Sequence, residues 1–243
     1  MCGASAQDCA PRFPLPLDLP QFKAEYIEGN SRIWTTIFPN QPTVIEAFSD
    51  LSALSRVLKH QSSKEGFWES TTFVCRRLFP VAHKLLSLPH YNPTVAASSC
   101  KLSIMCESCR LAAMLFLVVV EQKFGVYLVP TDIQLAQLLA VISLKEMPEP
   151  NWKPFEMLRL WVILLAWVCC YRTSTTGYHS IATSSPSFST NGWLTQELTT
   201  LCRVLHLRSV EDILMTFSNL RLPWIDTVFD VEYDLLRGVL DQY

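Results

Sequence analysis

Two uninterrupted apolar runs constrain the fold of this chain more than any other feature. Residues 111–120 are LAAMLFLVVV and residues 160–171 are LWVILLAWVCCY, so the runs contain ten and twelve apolar residues. A helix that spans a bilayer needs about 20 mostly apolar residues. Arg110 closes the first run on one side, and Glu121 and Lys123 close it on the other. Both runs therefore predict helices buried in a protein core, and we expect no membrane span.

Helical signals recur along the chain, and no segment shows the alternation typical of a strand. The sequence contains only seven glycines, and it lacks the glycine-rich loops that cradle phosphates. The first apolar run lies in a segment that predicts a helix over residues 101–124, ended by Gly125. These signals predict an all-α fold. Three pairs match the capping-box pattern at the start of a helix, namely Thr43 with Glu46, Thr131 with Gln134, and Ser209 with Asp212.

The prolines divide the chain into an arm and a helical domain. Residues 1–42 carry six of the fifteen prolines. Because proline fixes φ and restricts the residue before it, this segment predicts an extended Pro-rich arm. Residues 43–243 then form a single helical domain, an irregular bundle. Within it, residues 67–88 predict one helix bent at Pro80, and the Ser/Thr-rich residues 172–192 predict a long loop.

Composition limits the compartment and the partners. The formal net charge is -2, so there is no basic excess to neutralise phosphates, and we expect no direct nucleic-acid binding. The N-terminal stretch lacks the apolar region of a secretory signal. Cys109, Cys169, Cys170 and Cys202 lie in apolar helical patterns, as expected of reduced, buried thiols. These features predict a soluble, intracellular, cytoplasmic protein.

Two clusters have the residue types of a metal site without its pattern. Cys106 and Cys109 form a CxxC pair with Cys100 and His90 upstream, but Cys109 lies on an apolar helix, which disfavours a tetrahedral zinc site. Residues 230–234, DVEYD, offer carboxylates for Mg²⁺ and a diphosphate. No second ligand motif accompanies them, so they indicate a solvated acidic helix start. The sequence predicts no metal and no cofactor.

Three segments together resemble the C-terminal helical half of fungal-specific transcription factor regulatory domains. In that family a CRLAA helix precedes a LLWVL-type helix, and a segment of the type W…L…LGL…SWEEV…FLWID follows. The corresponding segments here are CRLAAMLFLVVVEQKFG at 109–125, LRLWVILLAWVCCYRTS at 158–174, and WLTQELTTLCRVLHLRSVEDILMTFSNLRLPWID at 193–226.

The resemblance stops short of the part of the family that contacts DNA. Family members usually begin with a binuclear zinc cluster of six cysteines, and its CxxCx6C opening is absent from this sequence. A basic linker and a dimerising coiled coil are missing as well. The resemblance therefore implies a helical scaffold with an apolar effector cavity, and it does not imply DNA binding.

Two arginines that open apolar helices are the candidate polar groups of a binding site. Glu107 lies three residues before Arg110, and Glu156 lies three residues before Arg159. One interpretation is a pair of i,i+3 ion pairs at helix ends. The other is that an arginine donor points into an apolar cavity toward a ligand oxygen, with aromatic side chains as the cavity walls. The same aromatic residues are equally typical of an ordinary packed core. The candidate ligand-binding residues are Arg110, Arg159, Ala113, Trp161, Trp167 and Tyr171, and no catalytic residue is assigned.

Two classes of function follow. In the first, a stand-alone helical protein serves fungal secondary metabolism, binds a hydrophobic small molecule such as a terpenoid or polyketide intermediate, and promotes a cofactor-independent cyclisation of the Diels–Alder type. A ring closure of this kind needs only shape and a donor for developing charge. In the second, the chain is a non-DNA-binding transcriptional co-regulator or a truncated transcription factor. It would then act in the nucleus through a partner, as a heterodimer or a homodimer.

Overall fold

Helices account for the regular structure in the part of the chain that the structure describes. In the computed structural model the described residues are 10–11, 13–16, 18–19, 22, 30–90, 101–126, 132–143, 152–175 and 188–241. Within these ranges the chain forms nine α-helices of eight residues or more and no strand, which confirms the predicted all-α fold. None of the helices in the described ranges is long and apolar enough to cross a bilayer.

The nine helices are numbered in chain order. A 3₁₀ turn at Phe67–Glu69 and a π-helical turn at Val74–Leu78 lie between the second and the third. The helices are α1 Asn30–Ile37, α2 Pro42–Gln61, α3 Phe79–Leu86, α4 Lys101–Lys123, α5 Asp132–Ile142, α6 Glu156–Thr175, α7 Phe188–Val204, α8 Val210–Asn219 and α9 Asp230–Leu240.

The core is built around α4 and α6, the helices that contain the two apolar runs. The two helices pack against each other; α4 also contacts α3 and α5, and α6 also contacts α5, α7 and α8. Every residue of 111–120 is buried, and so is every residue of 160–170. A helix that is apolar on all sides must be covered on all sides, so these two helices take the centre and amphipathic helices surround them.

The predicted extended arm is wrong for residues 30–37, because these form α1. Trp34 is fully buried, and its ring stacks on Phe48 of α2 at a centroid distance of 4.7 Å. Its indole N–H donates to Ser52 Oγ at 3.0 Å. Burial of this large ring against α2 outweighs the proline signals around it. Pro42 falls at the first position of α2, where its missing N–H is tolerated.

The capping predictions had different outcomes. The capping box of Ser209 and Asp212 at the start of α8 is confirmed, with both reciprocal hydrogen bonds present. The one of Thr43 and Glu46 is wrong, because α2 begins at Pro42 and no side chain caps it. Glu46 instead pairs with Lys84 of α3. Thr131, the cap predicted for the next helix, lies outside the described residues.

The predicted single helix over residues 67–88 is also wrong. Helical structure resumes after Ser70, whose Oγ accepts a hydrogen bond from the backbone N–H of Phe73. A π-helical turn then precedes α3, and in it the N–H of Phe79 donates to the carbonyl of Val74, five residues back. Pro80 lacks an N–H for the regular ladder, and the wider π turn before it shifts the hydrogen bonding.

The boundaries of the two core helices were predicted with unequal success. Helix α4 agrees closely with the predicted 101–124, and Gly125, with φ of 75°, ends it in the left-handed region. The predicted loop over 172–192 is wrong at both ends, because α6 continues to Thr175 and α7 begins at Phe188. Residues 176–187, the middle of that prediction, lie outside the described ranges.

Candidate functional site

The most deeply buried charge in the described part of the chain is Arg110 of α4, whose side chain has 0% exposed surface. Its Nε donates to Glu107 Oε2 at 2.8 Å, and its Nη2 donates to Oε1 at 2.7 Å. The i,i+3 ion pair predicted for these residues is confirmed. Two parallel hydrogen bonds form the fork that a guanidinium makes with a carboxylate, which fixes the plane of the guanidinium.

The pair lies at the start of the buried part of α4. Arg110 is followed directly by the buried run of α4, and Glu107 is buried as well. Removing two charges from water costs several kcal/mol per ion, and a well-packed apolar pair is often as stable or more stable. Stability alone therefore does not account for an ion pair at this position.

The thiols beside the ion pair have raised pKa values, which disfavour the thiolate. Burial, together with the neighbouring charge of Glu107, raises the pKa of the Cys106 thiol to about 12, and burial raises the pKa of Cys109 well above its usual value. Protonated thiols are poor nucleophiles and poor metal ligands. Among the described residues, no group of three His, Cys, Asp or Glu side chains is arranged to hold a metal ion. Cys100, part of the zinc cluster considered above, lies outside them.

Arg159 lies in a different setting. Its Nη2 is 2.5 Å from Glu197 Oε1 on α7, with side-chain exposures of 24% and 21%. The partner is thus on a neighbouring helix and is not Glu156, the residue expected from the i,i+3 spacing. This pair links α6 to α7 at the edge of the core, where water reaches both side chains.

The two tryptophans of α6 point to different neighbours. The indole N–H of Trp161 donates to the carbonyl of Pro223 at 2.8 Å, in the connection between α8 and α9. The indole N–H of Trp167 donates to Thr195 Oγ1 of α7 at 3.1 Å, and its ring stacks on Tyr171 at 6.3 Å. The two indoles are therefore anchored to separate parts of the bundle.

The six candidate residues form three groups. Arg110 and Ala113 lie one turn apart on α4, without exposed surface. Arg159, Trp167 and Tyr171 lie on the side of α6 that meets α7, and Trp161 faces the α8–α9 connection. A ligand that contacts the α4 group must displace neighbouring side chains, because nothing of Arg110 or Ala113 is accessible in this conformation. Whether the six residues line a common cavity stays a prediction.

A second ion pair, partly buried, was missed from the sequence. Arg172, near the end of α6, donates from Nε to Glu232 Oε1 at 2.6 Å and from Nη2 to Glu232 Oε2 at 3.1 Å. Its Nη2 also donates to the carbonyl of Val228 at 2.9 Å, and the guanidinium lies 5.8 Å from the centre of the Phe229 ring. The acidic stretch 230–234 is therefore not simply a solvated helix start, because Glu232 is buried and joins α9 to α6.

A third buried acid, Glu121, was treated in the sequence only as the end of the first apolar run. Glu121 is 4% exposed, and burial raises the pKa of its carboxyl group from 4.5 to about 7. Among the described residues no side chain donates to its carboxylate and no cation pairs with it. The available signal was its position directly after ten apolar residues of a helix that is buried on all sides.

The geometry thus defines an all-α protein whose core helices carry buried acids and a buried arginine. No protein-family model, no curated protein and no solved structure matches this chain. The resemblance to fungal transcription factor regulatory domains therefore stays a prediction that is carried by three helical segments.

Proposed function

We propose that this protein binds an apolar, oxygen-bearing small molecule, such as a terpenoid or polyketide intermediate of secondary metabolism, against its α4–α6 core. The observation that supports the proposal is the Arg110–Glu107 pair, with side-chain exposures of 0% and 8%. Small-molecule sites are mostly apolar and contain a few placed polar groups. A guanidinium held by a carboxylate within an apolar core is a group of this kind.

The chemistry available to such a site is donation to a ligand oxygen. The fork with Glu107 orients the Arg110 guanidinium before any ligand arrives, and the side chains that cover it would move to admit the ligand. A carbonyl on a diene or dienophile becomes more electron-poor when a cationic donor binds it. In a Diels–Alder ring closure two carbon–carbon σ bonds form at the expense of π bonds, and no atom, electron or proton leaves the substrate. Such a reaction gains from a folded substrate conformer and needs no cofactor.

We place the entry route beside α7. Tyr171, which is half-buried, and Trp167, which stacks on it, lie at the α6–α7 contact, next to the partly exposed ion pair of Arg159 and Glu197. Aromatic side chains present broad apolar faces to such a ligand. Opening of this contact would lead an apolar molecule along α6 toward the buried face of α4.

The test is a pair of double variants. Glu107→Met/Arg110→Met removes the buried pair and conserves its bulk, whereas Asp234→Met/Arg237→Met removes an exposed i,i+3 pair of α9. Each purified protein is incubated with an extract from cells that lack the gene, and new or retained metabolites are measured by liquid chromatography and mass spectrometry. The wild type and the α9 variant should yield the same compound, and the α4 variant should not. Equal yields from a folded α4 variant would contradict the proposal.

One observation favours the regulatory alternative. Val204 at the end of α7 and Met215 of α8 are large apolar side chains that are 58% and 64% exposed, and we propose that they contribute to a contiguous apolar partner surface. On this proposal the chain reaches DNA through a relative that carries a zinc cluster. Tagged wild-type protein should then be recovered with chromatin, and Met215→Glu should abolish the recovery. Recovery that is unaffected by Met215→Glu would count against this surface, and no recovery at all would count against the regulatory function.

A further inference from the structure

The C-terminal end of α4 carries a buried acid that the proposed function does not use. Glu121 is more than nine-tenths buried, and within the described ranges its carboxylate has neither a hydrogen bond nor an ion pair. A buried carboxylate without a partner is unfavourable when it is ionised. Burial accordingly raises its pKa to about 7. Such a group gains much from a cation that is brought close to it.

Four aromatic rings pack against one another at the end of the same helix. Phe124 lies three residues after Glu121, a spacing at which side chains are neighbours on a helix surface. Its ring is 4.9 Å from Trp68, 5.4 Å from Phe67 and 5.7 Å from Phe73, measured between ring centroids. We call these four residues the aromatic cluster.

The aromatic cluster is both fixed and accessible. The Trp68 indole N–H donates to the carbonyl of Ser62 at 3.2 Å, which holds that ring in place. Phe67 is buried, whereas Trp68, Phe73 and Phe124 are only half-buried. Faces of half-buried rings attract cations through their quadrupole, most strongly for tryptophan.

The backbone adds negative potential at the same place. Helix α4 ends in a Schellman motif, in which the N–H of Val126 donates to the carbonyl of Glu121 and the N–H of Gly125 donates to that of Gln122, both at 3.0 Å. The C-terminal end of a helix carries the negative pole of its dipole. A carboxylate, the faces of aromatic rings and a helix C-terminus each carry negative potential, so all three favour a positively charged ligand.

We propose that Glu121 and the aromatic cluster form a binding site for a small organic ammonium ion, with the rings contacting its methyl or methylene groups and the carboxylate as counter-ion. Aromatic rings with a nearby carboxylate recognise quaternary ammonium groups in this way. The site is separate from the proposed apolar site. Glu121 follows Arg110 by eleven positions along α4, which corresponds to roughly 16 Å at the rise of an α-helix.

The experiment uses choline and its uncharged isostere 3,3-dimethylbutan-1-ol, titrated into the full chain and followed by calorimetry and by NMR of the ligand methyl groups. The buffer is kept at about pH 8 and constant ionic strength, so that the Glu121 carboxyl is ionised. We expect choline to bind and the isostere to bind at least about tenfold more weakly. Glu121→Gln and Phe124→Leu should each weaken choline binding by about tenfold or more. Glu69→Gln, which alters an exposed acid beside Trp68, should leave it unchanged.

The same titrations also define the results that would contradict the proposal. Absence of choline binding to the wild type would overturn it, as would equal affinity for the uncharged isostere. Binding that survives Glu121→Gln at full strength would show that the carboxylate is not the counter-ion. Thermal unfolding of each variant is recorded beside the titrations. Should one of the two variants fail to fold, the other variant, together with the comparison of choline and its isostere, still decides the outcome.

Discussion

The replacement Arg110→Met should be among the most destabilising changes at a charged position in this protein. Both hydrogen bonds of the Glu107 carboxylate come from Arg110, at 2.8 and 2.7 Å. The replacement leaves that carboxylate buried without a counter-charge. Breaking a buried pair by removing one partner costs about 3–5 kcal/mol. For a protein of this size each kcal/mol lowers Tm by about 2–4 °C, so we expect Tm to fall by roughly 6–20 °C.

The double variant Glu107→Met/Arg110→Met supplies the matched comparison. It removes both charges and leaves apolar side chains of similar length, so no ion is buried alone. Replacements of this kind are often neutral or stabilise the fold by about 1–4 kcal/mol. We therefore expect the second substitution to restore most or all of the stability that the first removes, even though the double variant carries more changes.

The assay is urea unfolding followed by far-UV circular dichroism and tryptophan fluorescence, with the free energy of unfolding compared among wild type, single variant and double variant. Coincident transitions by the two probes are required before the values are compared. A single variant whose free energy of unfolding lies within about 1 kcal/mol of the wild-type value would refute the reasoning, because a buried carboxylate without a counter-charge should cost more than that. A double variant as unstable as the single variant would refute it equally.

Three further predictions concern other parts of the core. Glu232→Ala removes the acceptor of two hydrogen bonds from Arg172 and should lower the free energy of unfolding in urea by about 1.5–3 kcal/mol. Burial raises the pKa of Glu121 from 4.5 to about 7, so the folded state keeps a proton that the unfolded chain releases, and stability falls as pH rises through this window. Glu121→Gln should remove about 2–3 kcal/mol of this loss, measured as the difference in the free energy of unfolding between about pH 5 and about pH 8. An unchanged difference would contradict the assignment. Among the described cysteines, exposed Cys75 should react first with iodoacetamide in the native protein, whereas Cys106, whose pKa burial raises to about 12, should react only on unfolding, as peptide mass spectrometry would show.

The helical fold could be predicted from the sequence because the strongest sequence signals for helices are local. The ten-residue run of α4, the stop at Gly125 and the capping box at Ser209 each depend on residues within a few positions of one another. The errors arose where distant residues decide. Helix α1 depends on the packing of Trp34 against Phe48 of α2. No pattern within residues 30–37 predicts this contact with a residue farther along the chain.

The candidate site was predictable only in part. The ion pair of Arg110 with Glu107 followed from helical spacing and is present. Arg159 offered the same spacing, yet it pairs with Glu197. A long, flexible arginine side chain can pair with any carboxylate that the helix packing brings near it. A carboxylate on a neighbouring helix can be better placed than one on the arginine's own helix.

The sequence by itself determined that this protein is helical and that the two apolar runs are buried, because helical periodicity and hydrophobic burial depend on residue type and on short spacings. Only the tertiary structure decided which charges are enclosed. Arg172 meets Glu232 across sixty positions of the chain, and the packing of the helices leaves Glu121 only 4% exposed. Contacts between distant residues and the burial of a particular carboxylate are properties of the packed helices, and no single segment contains them.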